Sequence, residues 1–252
     1  MTSRHDLEAS HTPAAIRARL HGGPDHSYLR DFVYGAIDGA VTTFAVVAGA
    51  TGANLSAGLV LVFGVANLFA DGFSMAVSNY LGTRAEEQRR NRLRAEEHAH
   101  VHAIPDGERK EVRQIFAAKG LTGRALEEIV EAITSDEGVW VDTMLREEHG
   151  LPSDSQSATR AAVSTFVAFM LAGAVPLIVF VVDLVVPGAI PGDAIWWSAG
   201  MTAVTFFGTG VVKARVVDES PWSSGLETLA LGGGAALLAY AIGWLLSGLA
   251  TV

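Results

Sequence analysis

Cysteine is absent from the 252 residues, which excludes disulfide bonds and thiolate metal ligands. Basic residues are also scarce, since 18 Lys and Arg stand against 27 Asp and Glu, for a net charge of −9. A nucleic-acid partner is therefore not expected, because such proteins usually present a basic face. Only 18% of the residues are charged and 50% are hydrophobic, whereas soluble domains carry about 25% charged residues. This composition favours a membrane protein.

Five long apolar segments account for the shortage of charge. A bilayer core of about 30 Å requires a helix of about 20 mostly apolar residues. We predict such spans at about residues 32–52, 57–82, 161–186, 194–217 and 226–249. A run such as LAGAVPLIVFVVDLVV is too uniformly apolar for the surface helix of a soluble protein. The chain is therefore predicted to be an integral membrane protein.

The basic residues predict which side of the membrane each segment occupies. All 18 lie within residues 4–30, 84–160 and 213–215, and Lys and Arg are retained on the cytoplasmic side. Five spans place these three segments on one side, so the N-terminus and the long insert face the cytoplasm and the C-terminus lies outside. The first 30 residues lack the apolar core of a signal peptide. No organelle signal is recognisable, so the cell membrane (plasma or inner) is the expected location.

The predicted fold class is all-α, with five transmembrane helices and a cytoplasmic helical metal-binding domain inserted between spans two and three. We divide the chain into an N-terminal arm (1–30), transmembrane helices one and two (31–83), the insert (84–157) and transmembrane helices three to five (158–252). Within the insert, helix-starting and helix-ending residues predict helices at 84–102, 107–119, 123–133 and 135–149. The first of these continues the second span out of the membrane.

Several donor side chains of the insert recur at helical spacings of three or four. Such spacings place side chains on one face of a helix, and they join Glu97 to His100, Glu108 to Glu111, and Met144 to Glu148. Oxygen and nitrogen donors with an occasional thioether suit a first-row divalent ion such as Fe²⁺ or Mn²⁺. The alternative interpretation is that these acidic faces are only solvated surface.

Ionisable residues inside the predicted spans are the stronger indication, because each is costly unless it is paired or functional. Asp38 lies in the first span between two glycines. In the second span, Asn67, Asp71 and Met75 follow one another at intervals of four and form a stripe. An aspartate that faces lipid is implausible, so both aspartates are expected at a helix interface or along a wet path. The alternative is that each ties two spans together by a hydrogen bond.

Two segments resemble the vacuolar iron transporter family. They are DFVYGAIDGAVTTFAVVAGATGA in the first span and ADGFSMAVSNYLGTRAE in the second, and IPDGERKEV in the insert adds to the likeness. The order of two spans, a cytoplasmic metal-binding domain and three further spans is also similar. The resemblance covers the chain from about Leu29 to its C-terminus.

The resemblance implies a homodimer that exchanges Fe²⁺, and often Mn²⁺, for protons and moves the metal out of the cytoplasm. It implies a path at the dimer interface that uses Asp38 and Met75. It further implies that the cytoplasmic domain binds metal at Glu97, His100, Glu108, Glu111, Met144 and Glu148.

Three positions depart from the plant relatives. His100 stands where they have a glutamate, and Leu145 stands where they have a second methionine. Asn67 stands where they carry an intramembrane glutamate, and Asp71, one turn along, is placed to supply the missing charge.

The predicted function is therefore a proton-coupled transporter of Fe²⁺, with Mn²⁺, Zn²⁺ and Co²⁺ as further candidate substrates. Its expected partners are membrane lipid, divalent metal ions and protons, and no cofactor beyond the transported metal is expected. One alternative is a membrane-anchored metal-binding or sensing protein without transport, although an anchor has no need of Asp38 and Asp71. The other is an oxidase, but ferritin-like sites need two Glu-x-x-His motifs. The insert offers only the one formed by Glu97 and His100, so the chain is not expected to be an enzyme.

Overall fold

A computed structural model describes residues 8–21, 28–151 and 156–249. The helices that it defines in these ranges are α1 (Pro13–His21), α2 (Leu29–Gly52), α3 (Ala57–Ala103), α4 (Pro105–Ala118), α5 (Gly123–Thr134), α6 (Glu137–Glu147), α7 (Ala158–Val185), α8 (Ala194–Val217) and α9 (Pro221–Leu245), with a short 3₁₀ turn at Ser247–Leu249. The described residues contain no β-strand. The all-α prediction is confirmed.

Five of these helices are long and apolar enough to cross a bilayer, namely α2, the first part of α3, α7, α8 and α9. The bounds of α2, α7, α8 and α9 agree with the predicted spans to within about five residues, and α3 begins where the second span was predicted to begin. The prediction of five transmembrane helices is therefore confirmed. The side of the membrane on which each connecting segment lies stays a prediction.

The described chain forms two compact units. Of the described residues, one unit comprises 28–82 and 157–249 and contains the spans, and the other comprises 8–21, 83–151 and 156. Helix α3 contributes its first half to one unit and its second half to the other. We keep the name insert for residues 84–157. The three boundaries between the four segments proposed above stay predictions.

In the unit of the spans, α2 packs closely on α7 and α9. Small residues permit this approach, because a side chain at Gly35 or Gly39 would collide with the backbone of α7. The first part of α3 buries only one narrow stripe, which includes Val60, Leu68 and Gly72. The opposite side of α3 leaves large apolar residues exposed, among them Phe69 and Phe73.

The insert is a small helical bundle with its own apolar core. Amphipathic faces of α4, α5 and α6 pack with the second half of α3, and this core contains Leu93, Val101, Val112, Leu126, Val130, Ile133, Trp140, Val141, Met144 and Leu145. The turns follow from local chemistry. Gly120 has a φ of +95° after the end of α4, a conformation that favours glycine. The Asp136 carboxylate accepts a hydrogen bond from the Val139 N–H (3.0 Å) and caps α6.

The predicted ends of the last two insert helices needed small corrections. Thr122 precedes α5, as expected, but its side chain makes no capping hydrogen bond. The last helix begins at Glu137 rather than at residue 135, because Asp136 is the capping residue. It ends at Glu147, so His149 lies beyond the helix.

Candidate metal centre

Two helices of the insert bring three of the predicted donor residues to one place. Glu97 and His100 lie on α3, whereas Glu108 lies in the first turn of α4. Ligand atoms of these three residues lie within 4.8 Å of one another, and His100 Nδ1 is 3.5 Å from Glu108 Oε1. The distances suit a shared cation, and the side chains come from two helices. That these residues bind metal stays a prediction.

A second set of donors shares Glu97 and includes a histidine that sequence reasoning missed. Ligand atoms of Glu97, Glu148 and His149 also lie within 4.8 Å of one another. His149 Nε2 donates a hydrogen bond to Glu97 Oε1 at 2.8 Å and lies 3.9 Å from Glu148 Oε2. On a continuous helix, adjacent residues project about 100° apart, so the spacing rule did not pair Glu148 with His149. The end of α6 at Glu147 changes this geometry. We call Glu97, His100, Glu108, Glu148 and His149 the inner cluster.

Two carboxylates of the inner cluster are almost completely buried. Glu97 is 3% exposed and Glu108 is 2% exposed, and the Oε2 atom of each has no hydrogen-bond partner among the described residues. A buried carboxylate oxygen without a partner is costly, and buried charges are normally paired or coordinate metals. These two oxygens are therefore a feature that a bound divalent cation would explain.

The electrostatics of the cluster point the same way. Burial raises the pKa of Glu108, the charges of Glu111 and Glu97 raise it further, and His100 lowers it. Burial likewise raises the pKa of Glu148, which His149 lowers and Glu97 raises. Crowded carboxylates repel one another when no cation is present. Glu111 is exposed, yet its charge acts on the buried Glu108.

The spans hold a second group of acidic side chains. Asp38 on α2 and Asp71 on α3 are both half-buried, and the charge of Asp71 acts on the Asp38 carboxyl group. Throughout the described ranges, neither carboxylate makes a side-chain hydrogen bond or an ion pair. The interhelical hydrogen bond considered as an alternative is therefore not formed. The interaction between the two aspartates is the electrostatic effect of Asp71 on the Asp38 carboxyl group.

The predicted neighbours of Asp71 have different environments. Asn67 is partly buried, and within the described part of the chain its Nδ2 has no hydrogen-bond partner. Met75 is partly buried against the apolar core of the spans. A role in transport for Asn67, Asp71 or Met75 stays a prediction.

Comparison with known proteins gives one consistent answer. A sequence model described as the VIT family matches residues 29–244. The chain is 31% identical over 215 residues to "Vacuolar iron transporter 1" of Arabidopsis thaliana, covering 85% of this chain and 84% of that relative. It is 31% identical over 247 residues to "Vacuolar iron transporter" of Toxoplasma gondii, covering 96% of this chain and 82% of the relative. A further relative, "Vacuolar iron transporter" of Plasmodium berghei, is 27% identical over 231 residues, or 90% and 85% of the two chains.

This chain belongs to the VIT family. The resemblance stated from the sequence is therefore confirmed. The matched relatives are named as transporters, which agrees with the expectation that this VIT-family member is not an enzyme.

Met144 has a different environment from the rest of the predicted ligand set. It is fully buried, next to Leu145, in the apolar core of the insert. Its backbone oxygen accepts hydrogen bonds from the N–H groups of Glu148 and His149, at 2.9 and 3.3 Å. Met144 therefore packs the core and positions the two residues that follow α6. Whether its sulfur also ligates metal stays a prediction.

A polar link between three spans was also missed. The Asn79 amide donates to Asp31 Oδ1 at 2.9 Å and to Thr165 Oγ1 at 2.7 Å. It joins α3, α2 and α7 in this VIT-family chain. Both Asp31 and Asn79 lie within the two segments that carry the resemblance, but neither is at a helical spacing that would reveal the other.

Proposed function

We propose that this chain transports Fe²⁺ out of the cytoplasm in exchange for protons. The observation that carries the proposal is the pair of unpartnered, buried carboxylate oxygens on Glu97 and Glu108 in a chain whose spans also hold Asp38 and Asp71. The names of its relatives identify iron as their cargo. Mn²⁺ is proposed as a second substrate, because it prefers the same oxygen and nitrogen donors.

In this scheme the insert faces the cytoplasm and collects the metal. The inner cluster supplies carboxylate oxygens and two imidazoles, with Glu111 and Met144 as the remaining members of the proposed ligand set. Burial raises the pKa of Glu108 and Glu148, and neighbouring carboxylates raise it further; cation binding neutralises the repulsion between these carboxylates. The insert thereby raises the local concentration of Fe²⁺ before it enters the spans.

Within the spans, Asp38 and Met75 are proposed to carry the ion. A carboxylate oxygen and a thioether favour Fe²⁺ over the hard ions Mg²⁺ and Ca²⁺. Asp71 supplies a second negative charge next to Asp38, and Asn67 offers an amide one turn before Asp71. A proton from the outer side that binds either aspartate removes a negative charge and releases the ion outward.

The proposed unit is a homodimer that pairs through the exposed side of α3. Ser74, three residues after Asp71, is exposed in the single chain, as is Phe73. Because the chain contains no cysteine, a Ser74→Cys variant carries one thiol. We expect it to cross-link into a dimer in membranes. Leu171→Cys, at an exposed position on α7, is the control that stays monomeric; equal cross-linking of both variants would contradict the interface.

The deciding experiment is flux in proteoliposomes under an imposed pH gradient without oxygen. We expect Fe²⁺ to move in the direction opposite to the proton flow. We also expect Mn²⁺ to compete with Fe²⁺ and a protonophore to abolish the Fe²⁺ flux. Co²⁺ and Zn²⁺ complete the competition series. Metal binding without flux would instead identify an anchored metal-binding protein, and conversion of Fe²⁺ to Fe³⁺ would identify an oxidase.

A further inference from the structure

A second histidine-rich site lies on a different side of α3 from the inner cluster. His98 and His102 are four residues apart and therefore project from the same side of the helix. Glu97 and His100 project about a quarter turn or more away from them, since successive residues rotate by about 100°. His98 and His102 thus share no ligand position with the inner cluster.

Both imidazoles converge on one carboxylate. His98 Nδ1 is 2.6 Å from Glu137 Oε1, and His102 Nε2 is 3.1 Å from the same oxygen. The three side chains are between 42% and 71% exposed, so an ion can reach them directly from solvent. Glu137 is the first residue of α6, whose start is held by the Asp136 cap. One residue from α6 and two from α3 therefore meet at one point.

We propose that His98, His102 and Glu137 form a second divalent-cation site, with two nitrogen donors, one carboxylate and water as the remaining ligand. Two histidines four apart on a helix are a recurrent zinc-binding arrangement, and a Glu commonly completes such a set. Ligands about 2.0–2.1 Å from a tetrahedral Zn²⁺ lie about 3.4 Å apart. The observed separations of 2.6 and 3.1 Å from Glu137 are those of direct ion pairs, so a bound ion would replace these contacts and the exposed side chains would rotate to surround it.

The donor chemistry separates this outer site from the inner cluster. Imidazole-rich sites suit Zn²⁺ and Co²⁺, whereas carboxylate-rich sites also accept Mn²⁺ and Fe²⁺. The outer site is therefore expected to prefer Zn²⁺ and Co²⁺ over Mn²⁺. A bound ion would join the end of α3 to the start of α6, the two helices that carry Glu97, His100 and Met144. The inference does not depend on transport, because it concerns an exposed site on the insert.

The test uses the full-length protein in detergent, with Zn²⁺, Co²⁺ and Mn²⁺ as the probes. A His98→Asn/His102→Asn variant is compared with the parent chain, and Glu128→Gln is the matched control. Glu128 is an exposed glutamate of the insert that pairs with Arg124, four residues earlier. Equilibrium dialysis gives the number of ions bound, and the visible absorption of bound Co²⁺ reports nitrogen ligands in a tetrahedral or five-coordinate site.

We expect the double variant to bind one Zn²⁺ fewer per chain and to lose the corresponding Co²⁺ absorption, with Mn²⁺ binding unchanged. Glu128→Gln should match the parent chain in all three measurements. An unchanged Zn²⁺ count and Co²⁺ spectrum would overturn the proposal. If the double variant does not fold, Glu137→Gln tests the same site, because it keeps the size of the side chain and removes the charged ligand. The same losses of Zn²⁺ binding and Co²⁺ absorption are expected.

Discussion

The insert and the spans of this VIT-family chain each bring acidic side chains together, but they surround them differently. In the insert, Glu97 and Glu108 are almost fully buried, and a histidine nitrogen lies within 2.8 or 3.5 Å of each. In the spans, Asp38 and Asp71 are only half-buried and interact through charge without hydrogen bonds. A dense set of donors suits the capture of an ion. A sparse set suits its passage, because an ion that moves on must be bound weakly enough to leave.

The largest expected effect comes from removing the Asp38 carboxylate from the spans. Asp38→Ala should reduce proton-driven Fe²⁺ flux in proteoliposomes to the level of empty vesicles, because a carboxylate of the proposed path is lost. Metal binding by the insert should not change. Asp193→Ala, in the segment just before α8, is the control and should retain flux. Normal flux in the Asp38 variant would remove the spans from the proposed mechanism.

The corresponding substitution in the inner cluster is Glu97→Gln. Glu97 belongs to both ligand groups of the inner cluster, and loss of a ligand should cost at least the 10–100-fold expected for a supporting residue. We therefore expect Mn²⁺ affinity of the full-length protein, measured by calorimetry, to fall about 100-fold. Glu96→Gln is the control, because Glu96 is exposed and paired with Arg92. Equal affinities in the two variants would mean that the buried carboxylates do not bind metal.

A third substitution tests how tightly the spans pack beside Asp38. A Cβ atom at Gly39 would lie 2.4 Å from the backbone oxygen of Phe169, so Gly39→Ala should lower stability by about 1–3 kcal/mol. Gly200 in α8 has open space around it, and Gly200→Ala should be neutral or slightly stabilising. Thermal unfolding in detergent compares them. A Gly39 variant as stable as the Gly200 variant would show that α2 and α7 can separate at no cost.

The smallest expected effect is a dependence on pH in the insert. Because the pKa of Glu108 is raised above 4.5 in the folded chain, protonation favours the folded state. The metal-free insert should lose stability as pH rises from about 4.5 through the raised pKa. Metal binding has the opposite sign, since protons compete with the cation below that pKa. Mn²⁺ affinity should therefore fall as the solution is acidified.

Glu108→Gln isolates this effect. It should weaken Mn²⁺ binding, yet protect the metal-free insert at neutral pH, because the repelled charge is gone. Hydrogen exchange of the insert amides between pH 5 and 8 measures the change, with Glu128→Gln as the control. The same pH dependence in parent and Glu108 variant would assign it to other groups.

Local patterns of the sequence were sufficient for the helices and for most of the individual donors. Hydropathy located all five spans, and three- and four-residue spacings singled out Glu97, His100 and Glu108. Both Asp38 and Asp71 stood out because a charge inside an apolar run is rare. Such features depend on short stretches of chain, where periodicity and composition carry the information.

Contacts between helices were decided only by the tertiary structure. His149 reaches Glu97 because α6 ends two residues before it, and Glu137 meets two histidines because α6 starts beside α3. Met144, expected as a ligand, is placed in the apolar core. Helical spacing describes one helix at a time, whereas these relations depend on where helices end and how their faces pack. Residues alone thus determined which groups are available, and packing determined which of them meet.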